Sequence, residues 1–305
     1  MPSAVSISHL YKSYDDLTVL NDIDFEIPKG CFFGLLGPNG AGKSTLINIM
    51  AGLVNSTKGS VSILGHDVRR QWRQARYSLG VVPQELVIDP FFSVIETLKL
   101  QSGYFGCRNN QEWLDELLEI LQLTDKTNTN LHKLSGGMKR RLLIAQALVH
   151  KPSVVILDEP TAGVDVELRE VLWKFTNRLH QNGHTIVLTT HYLREAENLC
   201  EQIAILNNGK LAALDSKTAL LARYPYRLLR LTLTTPIVNK IPDFLQDKVQ
   251  TISEDELVLR LHRDHDQIGA VLESLRLANI SFFDLHTQEP GLEEVFMSLT
   301  NDNHK

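Results

Sequence analysis

Cysteine is scarce in this chain. Cys31, Cys107 and Cys200 are the three in 305 residues, an odd number, far apart and without CxxC spacing. Neither a disulfide framework nor a zinc site is expected from them, and reduced thiols in a cytosol fit the pattern. A basic excess is missing too: 31 Lys and Arg stand against 36 Asp and Glu, a net charge of −5. That balance disfavours a protein that coats nucleic acid, so no nucleic-acid partner is expected. No run approaches the ~20 consecutive apolar residues that cross a bilayer. The opening Met1 to Leu10 also lacks the basic-then-apolar pattern of a secretory signal, so neither a spanning protein nor one exported by the general route is expected. Repeats and low-complexity tracts are absent. What is present, 43% hydrophobic and 22% charged residues with 18 Gly and 11 Pro, is ordinary globular composition, with length enough for one large domain and one small one.

Period-2 apolar alternation at Val5 to Leu10 and Val19 to Ile27 predicts an antiparallel strand pair. Continuous apolar runs at Cys31 to Leu36, Leu79 to Pro83, Val154 to Leu157, Thr185 to Thr189 and Gln202 to Leu206 read instead as strands of a parallel sheet covered on both faces; Ser60 to Leu64 is a further strand. Between Ser93 and His150 the period becomes helical, with Trp113, Leu114, Leu117, Leu118 and Leu121 recurring on one face, which predicts a helical subdomain inserted at about 93–150. Beyond Leu221 the pattern weakens. Tyr226 to Thr234 and Glu256 to His262 alternate as antiparallel strands, and Asp266 to Ala278 reads as an amphipathic helix. The expected division is therefore 1–221 and an accessory α+β domain over 222–305.

The strongest chemical signal is Gly37-Pro38-Asn39-Gly40-Ala41-Gly42-Lys43-Ser44, a G-x-x-x-x-G-K-[ST] match between a predicted strand and a predicted helix. Glycines let such a loop wrap so that successive N–H groups face phosphate oxygens, and the helix N-terminus adds its positive dipole end. Lys43 would reach the β and γ phosphates, and Ser44 would offer a hydroxyl to Mg²⁺, with Thr45 beside it in the first helical turn. The second signal is the strand Val154 to Leu157 running into Asp158 and Glu159. In a P-loop fold the first acid supports the Mg²⁺ shell, and the second is placed to polarise a water attacking the γ phosphate. The fold class read from these features is α/β: a P-loop NTPase core with an antiparallel β subdomain, an inserted helical subdomain and a small C-terminal α+β domain.

Leu134-Ser135-Gly136-Gly137-Met138 supplies a second phosphate-binding candidate, a serine-capped helix start with two glycines that admit a ligand to the backbone. Standing shortly before the acidic strand, and with both earlier motifs in place, it makes residues 4 to 221 resemble the ATP-binding cassette family of transport ATPases. The resemblance implies a homodimer in which the phosphate loop of one copy and the Ser135 helix of the other close on one ATP. It further implies that Tyr14 stacks on adenine, that Gln84 touches Mg²⁺ or the attacking water, and that His191 contacts the γ phosphate. Glu159, Lys43, Gln84 and His191 are then the catalytic set; Ser44, Gln84 and Asp158 are the metal set.

The same resemblance implies a separately encoded integral membrane permease docked on the helical subdomain, with Phe91 and Phe92 as either docking or core residues, and hence a place on the cytoplasmic side of the cell membrane. The segment Glu289-Pro290-Gly291-Leu292-Glu293-Glu294-Val295-Phe296 looks like the tail of exporter ATPases of the drug-resistance and polysaccharide type. Two departures stand out: Met138 replaces the usual glutamine, and Ala162-Gly163-Val164-Asp165 is a variant of the loop that crosses the dimer interface. Neither removes a group on which hydrolysis depends. Lys139, Arg140 and Arg141 read as a solvated helix face. The rival reading, a soluble cassette ATPase that remodels a ribosome or a DNA end, expects two cassettes in one chain or a long coiled coil, and this sequence has a single uninterrupted set.

Overall fold

The computed structural model describes residues 2–85, 89–164, 166–237, 241–289 and 291–301; Asp165 and Pro290, singled out above, lie outside the described residues. The chain forms two compact units, Met1–Ser216 and Lys217–Lys305. The division falls slightly before the expected 221/222. Its cause is the helix Lys217–Ala222, which buries Leu220 and packs with the helix Leu292–Asn301 of the second unit.

In the first unit, strands Ser3–Tyr14 and Leu17–Pro28 pair antiparallel and continue through Lys58–Ile63 to His66–Asp67. Leu20, Ile23, Phe25 and Ile27 face inward while Asp24 and Glu26 face water, the alternation of a sheet with one solvated side. The second sheet has six strands in the order Lys210–Ser216, Gln202–Asn207, Phe32–Leu36, Thr185–Thr189, Val154–Asp158, Leu79–Val82. All its pairs are parallel except the edge pair of Gln202–Asn207 with Lys210–Ser216. Every residue of Phe32–Leu36, Val154–Asp158 and Thr185–Thr189 is buried, which explains their unbroken apolar runs.

The helix Lys43–Met50 contributes Leu46, Ile47, Ile49 and Met50 to a core shared with Ile7, Ile23 and Phe25 of the antiparallel sheet and with Phe33, Ile156 and Val187 of the parallel one. Among the described residues between Val82 and Val154 lie the helices Val94–Tyr104, Gln111–Ile120 and Gly136–Leu148 and the isolated bridge of Ser93 to Asn130. Ser93 opens the first of these helices with a full capping box to Glu96.

The second unit is a four-stranded antiparallel sheet in the order Val249–Ile252, Glu256–His262, Tyr226–Leu233, Phe282–Gln288. Leu229, Leu231 and Leu233 share one face with Leu257, Leu259 and Leu261, and the helix Ile268–Leu277 covers that face through Val271 and Leu275. Two strands of this sheet, Val249–Ile252 and Phe282–Gln288, and the edge strand Lys210–Ser216 of the first unit, were not anticipated from the sequence pattern.

Candidate functional site

Parallel register brings four strand ends into one row. Leu35 pairs with Thr189, Thr189 with Asp158, and Leu157 with Val82. The loops that leave these ends carry Gly37 to Gly42, His191, Glu159 and Gln84. This is the edge at which parallel α/β sheets bind ligands, because the chain there turns from strand to helix and exposes amide groups.

The phosphate loop follows Phe32–Leu36 directly. A Cβ at Gly37 would lie 2.5 Å from the Leu206 carbonyl oxygen, so only glycine lets the loop pass this close to the neighbouring strand. Gly42 has φ +101 and caps the helix Lys43–Met50 without a side chain, leaving the first-turn N–H groups facing the loop. Lys43 is 8% exposed and its ammonium donates to the carbonyls of Gly37 at 2.7 Å and Pro38 at 3.0 Å. Burial lowers the Lys43 pKa from its ordinary value, while the charges of Glu159 and Asp158 pull it the other way.

Opposite, Asp158 is 7% exposed and burial raises its pKa; the hydrogen bond from Thr189 offsets part of that rise. Thr189 Oγ1 donates to Asp158 Oδ1 at 2.5 Å and accepts from the Glu159 N–H at 3.0 Å, so one buried hydroxyl aligns both acids. Glu159 sits at φ +46, a conformation that costs an ordinary residue roughly 1–2 kcal/mol. Its N–H is also held by the Thr189 carbonyl at 3.1 Å. Glu159 Oε2 accepts from Gln84 Nε2 at 3.1 Å and lies 3.3 Å from His191 Nδ1. Gln84 and His191 thus meet at the carboxylate of Glu159.

Asn39, Gly40, Gly42, Lys43, Ser44, Thr45, Gln84 and Glu159, with Val19 added from the antiparallel sheet, line one cavity of about 370 Å³. Tyr14 is outside this lining; its half-exposed ring lies under the Lys12 ammonium at 4.3 Å. Ser135, Gly136 and Gly137 are outside it as well. Ser135 does cap the helix Gly136–Leu148, accepting from the Met138 N–H at 3.3 Å, and it and Gly136 are exposed to solvent.

The Lys139 to Arg141 triplet is not a solvated face. Arg140 is 3% exposed, its guanidinium turned into the protein onto the carbonyls of Pro83, Gln84, Asp158, Glu159 and Pro160. Arg141 holds the turn at Leu121 and Gln122. A second buried network went unseen in the sequence: Glu195 accepts from Thr161 Oγ1 at 2.9 Å and Thr190 Oγ1 at 2.8 Å, with Arg169 Nε 3.5 Å away. It ties the turn after Glu159 to the loop that carries His191. Charged residues at internal hydrogen-bond positions look like surface residues in a sequence, so no pattern announces them.

Fold and site together define a P-loop nucleoside triphosphatase. The profile of the family described as "ABC transporter" matches residues 20–162. The linearmycin resistance ATP-binding protein of Bacillus subtilis (strain 168) is 33% identical over 301 residues, covering 96% of both chains. A Nod factor export ATP-binding protein I from Rhizobium sp. (strain N33) is 35% identical over 301 residues, covering 97% of both. Among solved structures, the ATP-binding subunit of an ABC transporter superposes with a TM-score of 0.69 at 28% identity, over 73% of this chain and 93% of that one. A dimeric ATP-binding cassette in a post-hydrolysis state with ADP and Pi gives 0.65 at 26% identity, over 70% and 98%. The chain belongs to the ATP-binding cassette family. It is the ATP-binding and ATP-hydrolysing subunit of an ABC transporter, and no helix among its described residues is long and apolar enough to cross a membrane.

Proposed function

We propose that two copies of this chain close head to tail on two ATP molecules, and that hydrolysis reopens the pair to drive export through a separate membrane permease. The observation that carries the reading is the convergence of Lys43, Ser44, Gln84 and Glu159 on one cavity, with Asp158 at the adjoining strand end. Buried Lys43 and Asp158 each carry a desolvation penalty that bound nucleotide and metal would relieve, the triphosphate for the cation and a divalent ion for the acid.

The donor set suits Mg²⁺, a hard ion that takes oxygen ligands and keeps phosphates in its shell. The Ser44 hydroxyl and the Gln84 amide oxygen would hold it with the nucleotide, and Asp158 would support it. Among the described residues no group of three or more His, Cys, Asp and Glu forms an all-protein cage. When bound, the ion neutralises charge on the phosphates. This chain's own residues do the rest: the loop from Gly37 to Gly42 with Thr45 cradles phosphate, and Lys43 draws charge from its terminal oxygens. Glu159, fixed by Gln84 and His191, orients and polarises the water. Tyr14 is assigned to the adenine ring.

In the partner copy, Ser135 and Gly136, exposed at the helix start, and the half-buried Gly137 would meet the γ phosphate. ATP would favour the closed pair by its differential affinity, and hydrolysis would withdraw that bias. The assembly is placed at the cytoplasmic face of the cell membrane by the permease. For that docking the helical subdomain offers a cavity of about 540 Å³ lined by Phe92, Leu100 and Tyr104, with Phe91 85% exposed close by in sequence. Export is supported by the relatives, which are named for linearmycin resistance and Nod factor export.

The test is Glu159→Gln. The variant should bind ATP, accumulate as a dimer on size-exclusion chromatography with ATP, and lose at least ~100-fold in kcat. Unchanged steady-state hydrolysis would refute the role of Glu159. Lys43→Ala should weaken nucleotide binding or turnover by at least ~10-fold in the same assays.

A further inference from the structure

Arg140 spends every donor it has. A guanidinium carries five N–H groups in a rigid planar fork. Here Nε reaches Pro160 O at 3.1 Å, one terminal nitrogen reaches Pro83 O at 2.6 Å and Gln84 O at 2.9 Å, and the other reaches Asp158 O at 3.1 Å and Glu159 O. Each acceptor is a different backbone carbonyl, drawn from two turns that leave neighbouring strands. Among the described residues no carboxylate forms an ion pair with Arg140, so its buried charge is met by main-chain dipoles. Burial lowers its pKa, and the charges of Asp158 and Glu159 act against that shift. Placing an unpaired charge inside a protein is unfavourable unless all its hydrogen bonds are made. No neutral side chain, and no lysine with three donors, could satisfy these five carbonyls together.

The fork sits on the helix that Ser135 caps, about 7 Å along its axis from that serine at the usual rise. One end of the helix is exposed. The side chain of Arg140, a short way in, grips the backbone of the turns that present Gln84 and Glu159 of the same chain.

We propose that Arg140 is a positioning residue that ties the Ser135 helix to the Gln84 and Glu159 turns. What the helix end meets in the partner's nucleotide is thereby transmitted to hydrolysis at the chain's own nucleotide. The inference rests on the head-to-tail dimer proposed above and adds to it a link between the two shared sites. A planar fork suits the task because its five bonds fix two turns relative to each other and to the helix, so none of the three moves alone. The strained Glu159 backbone depends on such fixing: a turn at positive φ relaxes once its carbonyl is released.

The test compares Arg140→Met and Arg140→Lys in steady-state ATP hydrolysis, and Arg140→Met combined with Glu159→Gln in ATP-driven dimer formation. Arg140→Met is expected to lower kcat at least ~10-fold with the KM for ATP within ~3-fold of the parent, the signature of lost transition-state positioning. Arg140→Lys, with three donors for five acceptors, should show the same split at about a third to a tenth of parental kcat. The double variant should still form the dimer at parental ATP concentrations.

Parental kcat in Arg140→Met overturns the proposal. So does loss of ATP binding and dimerisation together with turnover, which would make Arg140 a support for the helix alone. If Arg140→Met fails to fold, Arg140→Lys carries the same test, and parental kcat there is the refuting result. Glu159→Gln measured alone reports on the underlying reading: normal turnover in that variant removes the reading itself, a failure distinct from normal turnover in Arg140→Met.

Discussion

Thr189 shows how much of this site hangs on one uncharged atom. Its hydroxyl is wholly buried, donates to Asp158 and accepts from the Glu159 N–H. Replacing it by valine keeps the shape and removes both bonds, leaving a buried carboxylate short of a donor. Thr189→Val should cost about 1–3 kcal/mol of stability, read from denaturant midpoints, and lower kcat by roughly 10-fold through misalignment of Glu159. The threonine ends a strand whose β-branched residues explain themselves as sheet formers, so its second role has no mark in the sequence. The phosphate loop differs. Its glycines and Lys43 are demanded by the geometry of a turn that must pass 2.5 Å, Cβ to carbonyl, from the next strand, and that demand is written in residue type.

Elements meet at His150, where the helix Gly136–Leu148 has just ended and the strand Leu79–Val82 begins. The imidazole Nε2 lies 3.1 Å from the Leu79 carbonyl, Phe105 stacks on the ring at 3.6 Å, Tyr77 meets it edge-on, and Nδ1 is buried with no partner. The geometry calls for neutral imidazole with its proton on Nε2. A second proton would be an unsatisfied buried charge, and burial pulls the pKa from 6.5 down to about 4. The folded state therefore binds this proton less readily than the unfolded chain. Its contribution is complete above pH 6.5 and is lost as pH falls from there toward 4. Between about pH 7 and pH 5 the parent should lose about 2 kcal/mol more than His150→Leu, measured by urea unfolding at both values. An equal loss in both proteins would rule out His150 as the source. Surface arginines at Arg73 and Arg76, resting on Trp72, have no such leverage, since exposed charges are well solvated.

For the whole molecule, the decisive property under the proposed head-to-tail pairing is that the residues assigned to the two halves of a nucleotide site do not line one cavity of the chain. Lys43, Ser44, Gln84 and Glu159 share one cavity, whereas Ser135, Gly136 and Gly137 stand outside its lining. Turnover per chain should therefore rise with protein concentration and level off as the pair saturates, and Ser135→Arg should abolish it while leaving ATP binding to the single chain within ~3-fold. A specific activity independent of concentration down to the nanomolar range would speak for a self-sufficient monomer. The second unit has its own core of Leu229, Leu231, Leu257, Leu259, Val271 and Leu275, separate from the core around the phosphate-loop helix.

The central sheet, the helical insertion and the main motifs were legible because each is local: buried strands demand apolar runs, and phosphate turns demand glycine. The strands Val249–Ile252 and Phe282–Gln288 were not. The latter is exposed along most of its length, so no alternation of burial constrains its residues, and it exists because Tyr226–Leu233 offers it a hydrogen-bonding edge. Arg140, Arg141 and Glu195 look like surface residues in the sequence for the related reason that charge in a sequence is ambiguous about direction. Residue type could say which groups this protein would bring to a triphosphate. Which buried cation, hydroxyl and acid would hold those groups still depended on contacts between segments distant in the chain, where a side chain's meaning comes from the carbonyls and carboxylates that folding sets before it.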